Sequence, residues 1–170
     1  GVTRGNVVLP TSAPAAFTKA CHYFGLEARR VDVGPDFKAD PDAMANAGDD
    51  DTVLLVASAP QYPQGVIDPV VDIAAIAAEH GVNCHVDACM GGFTLPFMER
   101  AGLFGADAPA WDFRVPGVTT ISADVHKYGY VPKGCSVVLH RSPDWAAHQW
   151  FVYDRWPAGL YGSPAVAGAK

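Results

Sequence analysis

An α/β fold with a mostly parallel sheet flanked by helices is the class this sequence predicts, on three observations. Short apolar runs alternate with amphipathic or buried helical stretches along the chain. One run, residues 52–57, is apolar without interruption, as a strand buried on both faces should be. Glycines that stop helices (Gly25, Gly48 and Gly81) fall between the runs.

The elements follow in order. Residues 6–9 read as a strand, and Pro10 to Ala13 turn into a helix carrying Phe17, Ala20 and Phe24. Residues 28–33 form a second strand. Asp40-Pro41-Asp42 has the form of a cap and first turn for a short helix ending at Gly48. Beyond the loop at 58–65, Asp68-Pro69 opens a helix through Ile73, Ile76 and Ala77 to His80. Residues 83–87, 119–122 and 136–139 are further strands, and 144–151 is expected to be helical. The helix at 68–80 has alanine on nearly every side, which predicts cover from outside this stretch of chain. Residues 164–170 read as the start of a helix, so the chain is expected to be part of something longer.

Composition narrows the function. A chain of 170 residues can bury one sizeable core. The net charge of −6 supplies no broad basic surface, which argues against nucleic acid as a partner. Apolar runs are too short to span a bilayer. Cys21, Cys84, Cys89 and Cys135 are scattered, three of them in or beside apolar stretches, so buried thiols in a cytoplasmic protein are expected rather than a disulfide framework.

Two motifs carry chemistry. Cys84-His85-Val86-Asp87-Ala88-Cys89 ends one strand, and Asp124-Val125-His126-Lys127-Tyr128-Gly129 follows another. Ligands of a parallel sheet bind beyond the carboxyl ends of its strands, so Asp87 and Lys127 can reach a common crevice. An amine and a carboxylate placed this way suit pyridoxal 5′-phosphate. Lys127 would form the Schiff base with the aldehyde, and Asp87 would keep the pyridine nitrogen protonated. Freed by a substrate amine, Lys127 could act as an acid or base, helped by the low pKa expected of a buried lysine. Alternation along the strand puts His85, Asp87 and Cys89 on one face, with Cys89 beside the ring, and His126 could donate to the phosphate.

Each residue also has an ordinary reading. A lone lysine is most often a solvated charge, and Asp87 could cap a turn. Cys84, His85, Asp87 and Cys89 resemble a metal cluster, but strand geometry sends Cys84 to the opposite face, so no metal is expected. Cys89 with His126 would make a nucleophilic pair, yet nothing in the sequence orients the histidine. His22, His80 and His148 fall in helical patterns, as surface or packing residues do.

The combination is more specific than its parts. Residues 85–93 (HVDACMGGF), 112–118 (DFRVPGV), 121–130 (ISADVHKYGY) with Pro132-Lys133-Gly134, and Ser58-Ala59-Pro60-Gln61-Tyr62-Pro63 with Gly65-Val66-Ile67-Asp68-Pro69 resemble one family. This is the sphingosine-phosphate lyase branch of the group II pyridoxal-phosphate decarboxylases, with the aspartate aminotransferase fold (fold type I). The resemblance runs in order along the whole chain and places it in the centre of the large, cofactor-binding domain. It implies Lys127 as the Schiff-base lysine, Asp87 as the pyridinium partner and His126 as a phosphate contact. Ser163, in Tyr161-Gly162-Ser163-Pro164, matches a segment that reaches the phosphate in a neighbouring subunit, so a homodimer is implied as well.

Three departures stand out. A family histidine that stacks on the cofactor is Pro14 here, and a second, in a Pro-His-Gly loop, is Gln64. The family's glycine-rich phosphate loop upstream and small domain downstream are missing, and the isolated segment is expected to be inactive. Relatives in eukaryotes carry a membrane anchor upstream. The resemblance implies a carbon–carbon lyase: retro-aldol cleavage of a phosphorylated long-chain amino alcohol to a fatty aldehyde and phosphoethanolamine. Amino-acid decarboxylation would use the same electron sink. Pro14, Gln64 and the missing ends instead suit a non-catalytic remnant, which the intact Asp87, His126 and Lys127 oppose.

Overall fold

A computed structural model describes residues 4–104 and 108–164. Six strands form one sheet: β1 (Asn6–Pro10), β2 (Glu27–Val31), β3 (Thr52–Ser58), β4 (Asn83–Asp87), β5 (Val118–Ala123) and β6 (Val137–His140). Their order is β2-β1-β3-β4-β5-β6. All neighbours are parallel except β5 and β6, which run antiparallel. The sheet is therefore wound outward in both directions from β1, and such an order opens a crevice at the carboxyl ends beside β1.

The helices follow local signals. α1 (Ala15–Phe24) ends where Gly25 adopts φ 67°, a left-handed conformation that closes the helix. α2 (Pro41–Ala47) starts with Pro41 at its first position, and the Asp40 carboxylate accepts from the Ala43 amide. α3 (Val70–Glu79) buries Val70, Ile73, Ala74 and Ala77 against β3 and β4. Its alanines let helix and sheet approach closely, while Val71 stays half exposed. Two short helices, α4 (Leu95–Arg100) and α5 (Val125–Tyr128), follow β4 and β5 and were not anticipated. Among the described residues no helix is long and apolar enough to cross a membrane.

Strand alternation divides the core. Val8, Leu55, Ala57, Cys84, Val86 and Ile121 pack with Met44, Ile73 and Trp111 on one side of the sheet. Val7, Leu9 and Val56 pack with Cys21 of α1 on the other. On that second side α1 covers β1 and its neighbours and reaches His85 of β4 through Phe17. Beyond that contact the same face of β4 and β5 lines a cavity.

The expected helix at 144–151 is a correction. Helix α6 (Pro143–Ala147) lasts little more than a turn, and β7 (Phe151–Tyr153) then pairs antiparallel with β8 (Tyr161–Ser163). Pro143 starts a helix readily, but the aromatic and β-branched run that follows favours a strand once a partner is available. The helix expected at 164–170 lies almost wholly outside the described residues.

Candidate active site

At the carboxyl ends of the strands the uncovered face opens into a cavity of about 780 Å³. Its walls come from the segment after β1 (Thr11 to Phe17), from Tyr62 and Pro63 after β3, and from the ends of β4 and β5. Asp87, Cys89 and Lys127 all line it, together with His85, Ser122 and Asp124. The two motifs separated in sequence therefore meet.

Asp87 is only 5% exposed. Its Oδ1 accepts from the backbone N–H of Cys89 at 3.0 Å and from the Ser122 hydroxyl at 3.2 Å. No N–H or hydroxyl donor of the described residues reaches Oδ2. The turn beyond β4 is tight: a Cβ on Gly91 would collide with the carbonyl oxygen of Ala59 and with Leu95, so only glycine fits there.

Lys127 sits on α5, one turn past β5, with Nζ 2.9 Å from Oδ2 of Asp124. Burial pulls its pKa down, but hydrogen bonds to Cys89 and Asp124 outweigh that effect and the net shift is upward. This corrects the expected low lysine pKa, because the hydrogen bonds to Cys89 and Asp124 favour the charged form. Burial likewise raises the Asp124 carboxyl, yet hydrogen bonds from Ser136 and Lys127 prevail and hold it below its ordinary value. The Cys89 thiol is pushed up to about 11, mainly by burial, so it remains protonated at neutral pH.

His85 is 9% exposed, with Nδ1 2.7 Å from Thr120 Oγ1 and Nε2 3.0 Å from Ser122 Oγ. Burial lowers its pKa to about 4, leaving the ring neutral. Cys84 faces the opposite core, as strand alternation predicted, and burial raises its thiol to about 12.

Other expected residues are not brought to the cavity. His126 places Nδ1 2.8 Å from the Cys135 carbonyl and Nε2 3.7 Å from Asp124, outside the cavity walls. Ser163 lies in the β7–β8 hairpin, in register with Phe151. Pro14 does line the cavity, where it precedes α1, whereas Gln64 is exposed in its loop. Sequence reasoning missed Asp124, Ser122 and Thr120. The spacing of three between Asp124 and Lys127 was a usable signal, since such residues adjoin on a helical turn.

Pyridoxal phosphate fits this set. A buried carboxylate with one oxygen open, a lysine amine, and walls from Ala13, Pro14 and Phe17 suit a flat, basic heterocycle. Ser12 adds a buried hydroxyl in the same wall that finds no hydrogen-bond partner among the described residues.

Known proteins agree with this reading. Sphingosine-1-phosphate lyase 1 of Rattus norvegicus is 48% identical over 170 residues, covering all of this chain and 30% of the relative. The sphingosine-1-phosphate lyase of Saccharomyces cerevisiae is 43% identical over 171 residues, covering all of the chain and 29% of the relative. The chain thus spans less than a third of the length of these relatives. A solved sphingosine-1-phosphate lyase from Burkholderia pseudomallei superposes with a TM-score of 0.93 at 46% identity, over 100% of this chain and 38% of that one. A Lactobacillus brevis glutamate decarboxylase superposes with a TM-score of 0.79 at 26% identity, over 96% and 37%. The profile of the pyridoxal-dependent decarboxylase conserved domain matches residues 3–154, and the chain belongs to that family.

Proposed function

We propose that the protein containing this chain is a pyridoxal-phosphate-dependent carbon–carbon lyase. Its substrate would be a phosphorylated long-chain amino alcohol, cleaved to a fatty aldehyde and phosphoethanolamine. The observation that carries this reading is the meeting of Asp87 and Lys127 in one cavity, in a chain 48% identical to a sphingosine-1-phosphate lyase from end to end. Glutamate decarboxylase is a more distant match at 26%, which favours the lyase over amino-acid decarboxylation.

When bound, pyridoxal phosphate supplies an aldehyde for the substrate amine and a ring that accepts the electron pair of the broken bond. Asp87 would hold the proton of the ring nitrogen through Oδ2. Lys127 would anchor the group and, once released, carry a proton at Nζ beside the reacting carbon. In the cofactor-free chain Asp124 lies 2.9 Å from Nζ and favours its charged form. Cys89, protonated and half-buried, and the apolar wall from Ala13 to Phe17 would keep water from the ring.

His126 belongs to this reading as a phosphate contact. Ser163 belongs to it as a phosphate contact in the site of a partner subunit, which makes the protein a homodimer. The exposed aromatic face formed by Phe151, Tyr153, Trp156 and Tyr161 on and beside the hairpin supports such cover.

Full-length protein purified with pyridoxal phosphate tests the reading. It should be yellow, lose the visible band on borohydride reduction, and lack that band in Lys127→Ala. Given a phosphorylated long-chain amino alcohol it should release aldehyde. Carbon dioxide from an amino acid, with no aldehyde from the amino alcohol, would establish the decarboxylase instead, and a colourless wild type would identify a remnant.

A further inference from the structure

We propose that His85 is a positioning residue for Asp87, acting through Ser122 to fix the carboxylate with Oδ1 occupied and Oδ2 left for a ring N–H. The proposal rests on the cofactor reading above and adds residues that make no contact with the reacting atoms.

The argument is one of donors and acceptors. Ser122 Oγ lies 3.0 Å from His85 Nε2 and 3.2 Å from Asp87 Oδ1, and a hydroxyl has one proton to give. An ionised carboxylate can only accept, so the Ser122 proton goes to Asp87. Ser122 must then accept from His85, which places the imidazole proton on Nε2. Nδ1 is left bare, and the Thr120 hydroxyl 2.7 Å away must donate to it. The reverse chain, from Nδ1–H to Thr120 and from Ser122 to Nε2, would set two lone pairs against each other at Asp87. A doubly protonated ring is disfavoured by burial. One direction therefore remains: Thr120 to His85 to Ser122 to Asp87.

The sheet fixes this order. The register slips between Cys84 and His85, so that Thr119 bulges out and its hydroxyl bonds both the amide and the carbonyl of Cys84. Beyond the slip Thr120 pairs with His85 and Ser122 with Asp87. Phe17 of α1 meets the His85 ring at 5.6 Å and 62°, fixing its tilt from above.

The experiment uses full-length protein labelled with ¹⁵N-histidine, and pyridoxamine phosphate as the probe, because it cannot condense with Lys127. In wild type without ligand, His85 should show Nε2 protonated and Nδ1 unprotonated. Ser122→Ala should weaken pyridoxamine phosphate binding by roughly tenfold or more, the usual consequence of losing a hydrogen bond to a charged group. Ser122→Thr, which keeps the hydroxyl, should restore it. In an Asp87→Asn background Ser122→Ala should change binding little, whereas a merely structural role would weaken both backgrounds alike. An Nδ1–H tautomer in wild type overturns the relay without any variant. So does tight wild-type binding that Ser122→Ala leaves unchanged, which would spare the cofactor reading. Wild type that binds no pyridoxamine phosphate overturns the cofactor reading itself, and the purpose given to the relay goes with it.

Discussion

Asp68 and Asp87 are both buried carboxylates beside the carboxyl end of β3, and they have opposite fates. Asp68 is fully buried, and each oxygen accepts a backbone N–H: Oδ1 from Ala39 at 3.0 Å, Oδ2 from Ser58 at 2.8 Å. It ties the loop before α2 to the end of β3 and has nothing left to offer a ligand. Asp87 spends one oxygen on the protein and keeps the other beside a cavity. Burying a carboxylate is costly in either place, so the unfilled oxygen is the informative difference. One carboxylate is a cross-link, and the other is a half-built binding site.

The largest expected effect tests that contrast through stability. Asp68→Ala should orphan two buried N–H groups at about 1–3 kcal/mol each, a loss of roughly 2–6 kcal/mol in denaturant unfolding of the full-length protein. Asp87→Ala should cost much less, because cavity water can reach the Cys89 amide, while abolishing tight cofactor binding. Equal losses for the two variants would erase the distinction between them.

A second test isolates the group behind Asp87. The pKa of His85 in the fold is about 4, below the ordinary 6.5, so the unfolded chain binds the extra proton between those values. Stability from this residue is complete above pH 6.5 and is lost as pH falls toward 4. The loss amounts to ~3 kcal/mol if the whole shift is realised. His85→Gln should remove that part of the pH profile. Carboxylates with lowered pKa, such as Asp112 and Asp124, act only at more acidic pH, while Asp68, whose carboxyl burial raises, contributes a slope of opposite sign that His85→Gln leaves in place. An unchanged slope between pH 6.5 and 4 in His85→Gln would place the titration elsewhere.

Much of this site could be read from the chain, and the part that could not has a definite cause. The two-residue repeat of a strand put His85 and Asp87 on one face and Cys84 on the other, and the structure has them there; the strand ends at Asp87, and Cys89 lines the same cavity from the turn beyond it. Strand ends located Asp87 and Lys127 at a shared crevice. What lies across from them depends on the register between β4 and β5, and the bulge at Thr119 leaves no local signature in the sequence. Ser122 and Thr120 were invisible for that reason. The pKa of Lys127 was expected from burial alone, and hydrogen bonds to Cys89 and Asp124 reversed its direction. At 144–151 the helix-starting Pro143 was a true signal, but a strand pairing eight residues beyond Tyr153 overrode the expected continuation.

The smallest effect asks whether the open carboxylate acts on its surroundings. The Cys89 thiol is raised to about 11 first by burial, and the nearby Asp87 charge adds to the rise while Lys127 opposes it. Alkylation needs the thiolate, so Cys89 should react with iodoacetamide more than a hundredfold slower than an exposed cysteine of ordinary pKa near 8.5. Asp87→Asn removes one of the raising influences and should speed that reaction a few-fold, as a shift of half a pKa unit would. Asp68→Asn, whose neighbours are Ala39 and Ser58 rather than a thiol, should leave the rate unchanged. Peptide mapping after timed alkylation reads the rates residue by residue. Equal acceleration in both variants would mean that loosened packing, and not the charge facing the cavity, governs the thiol.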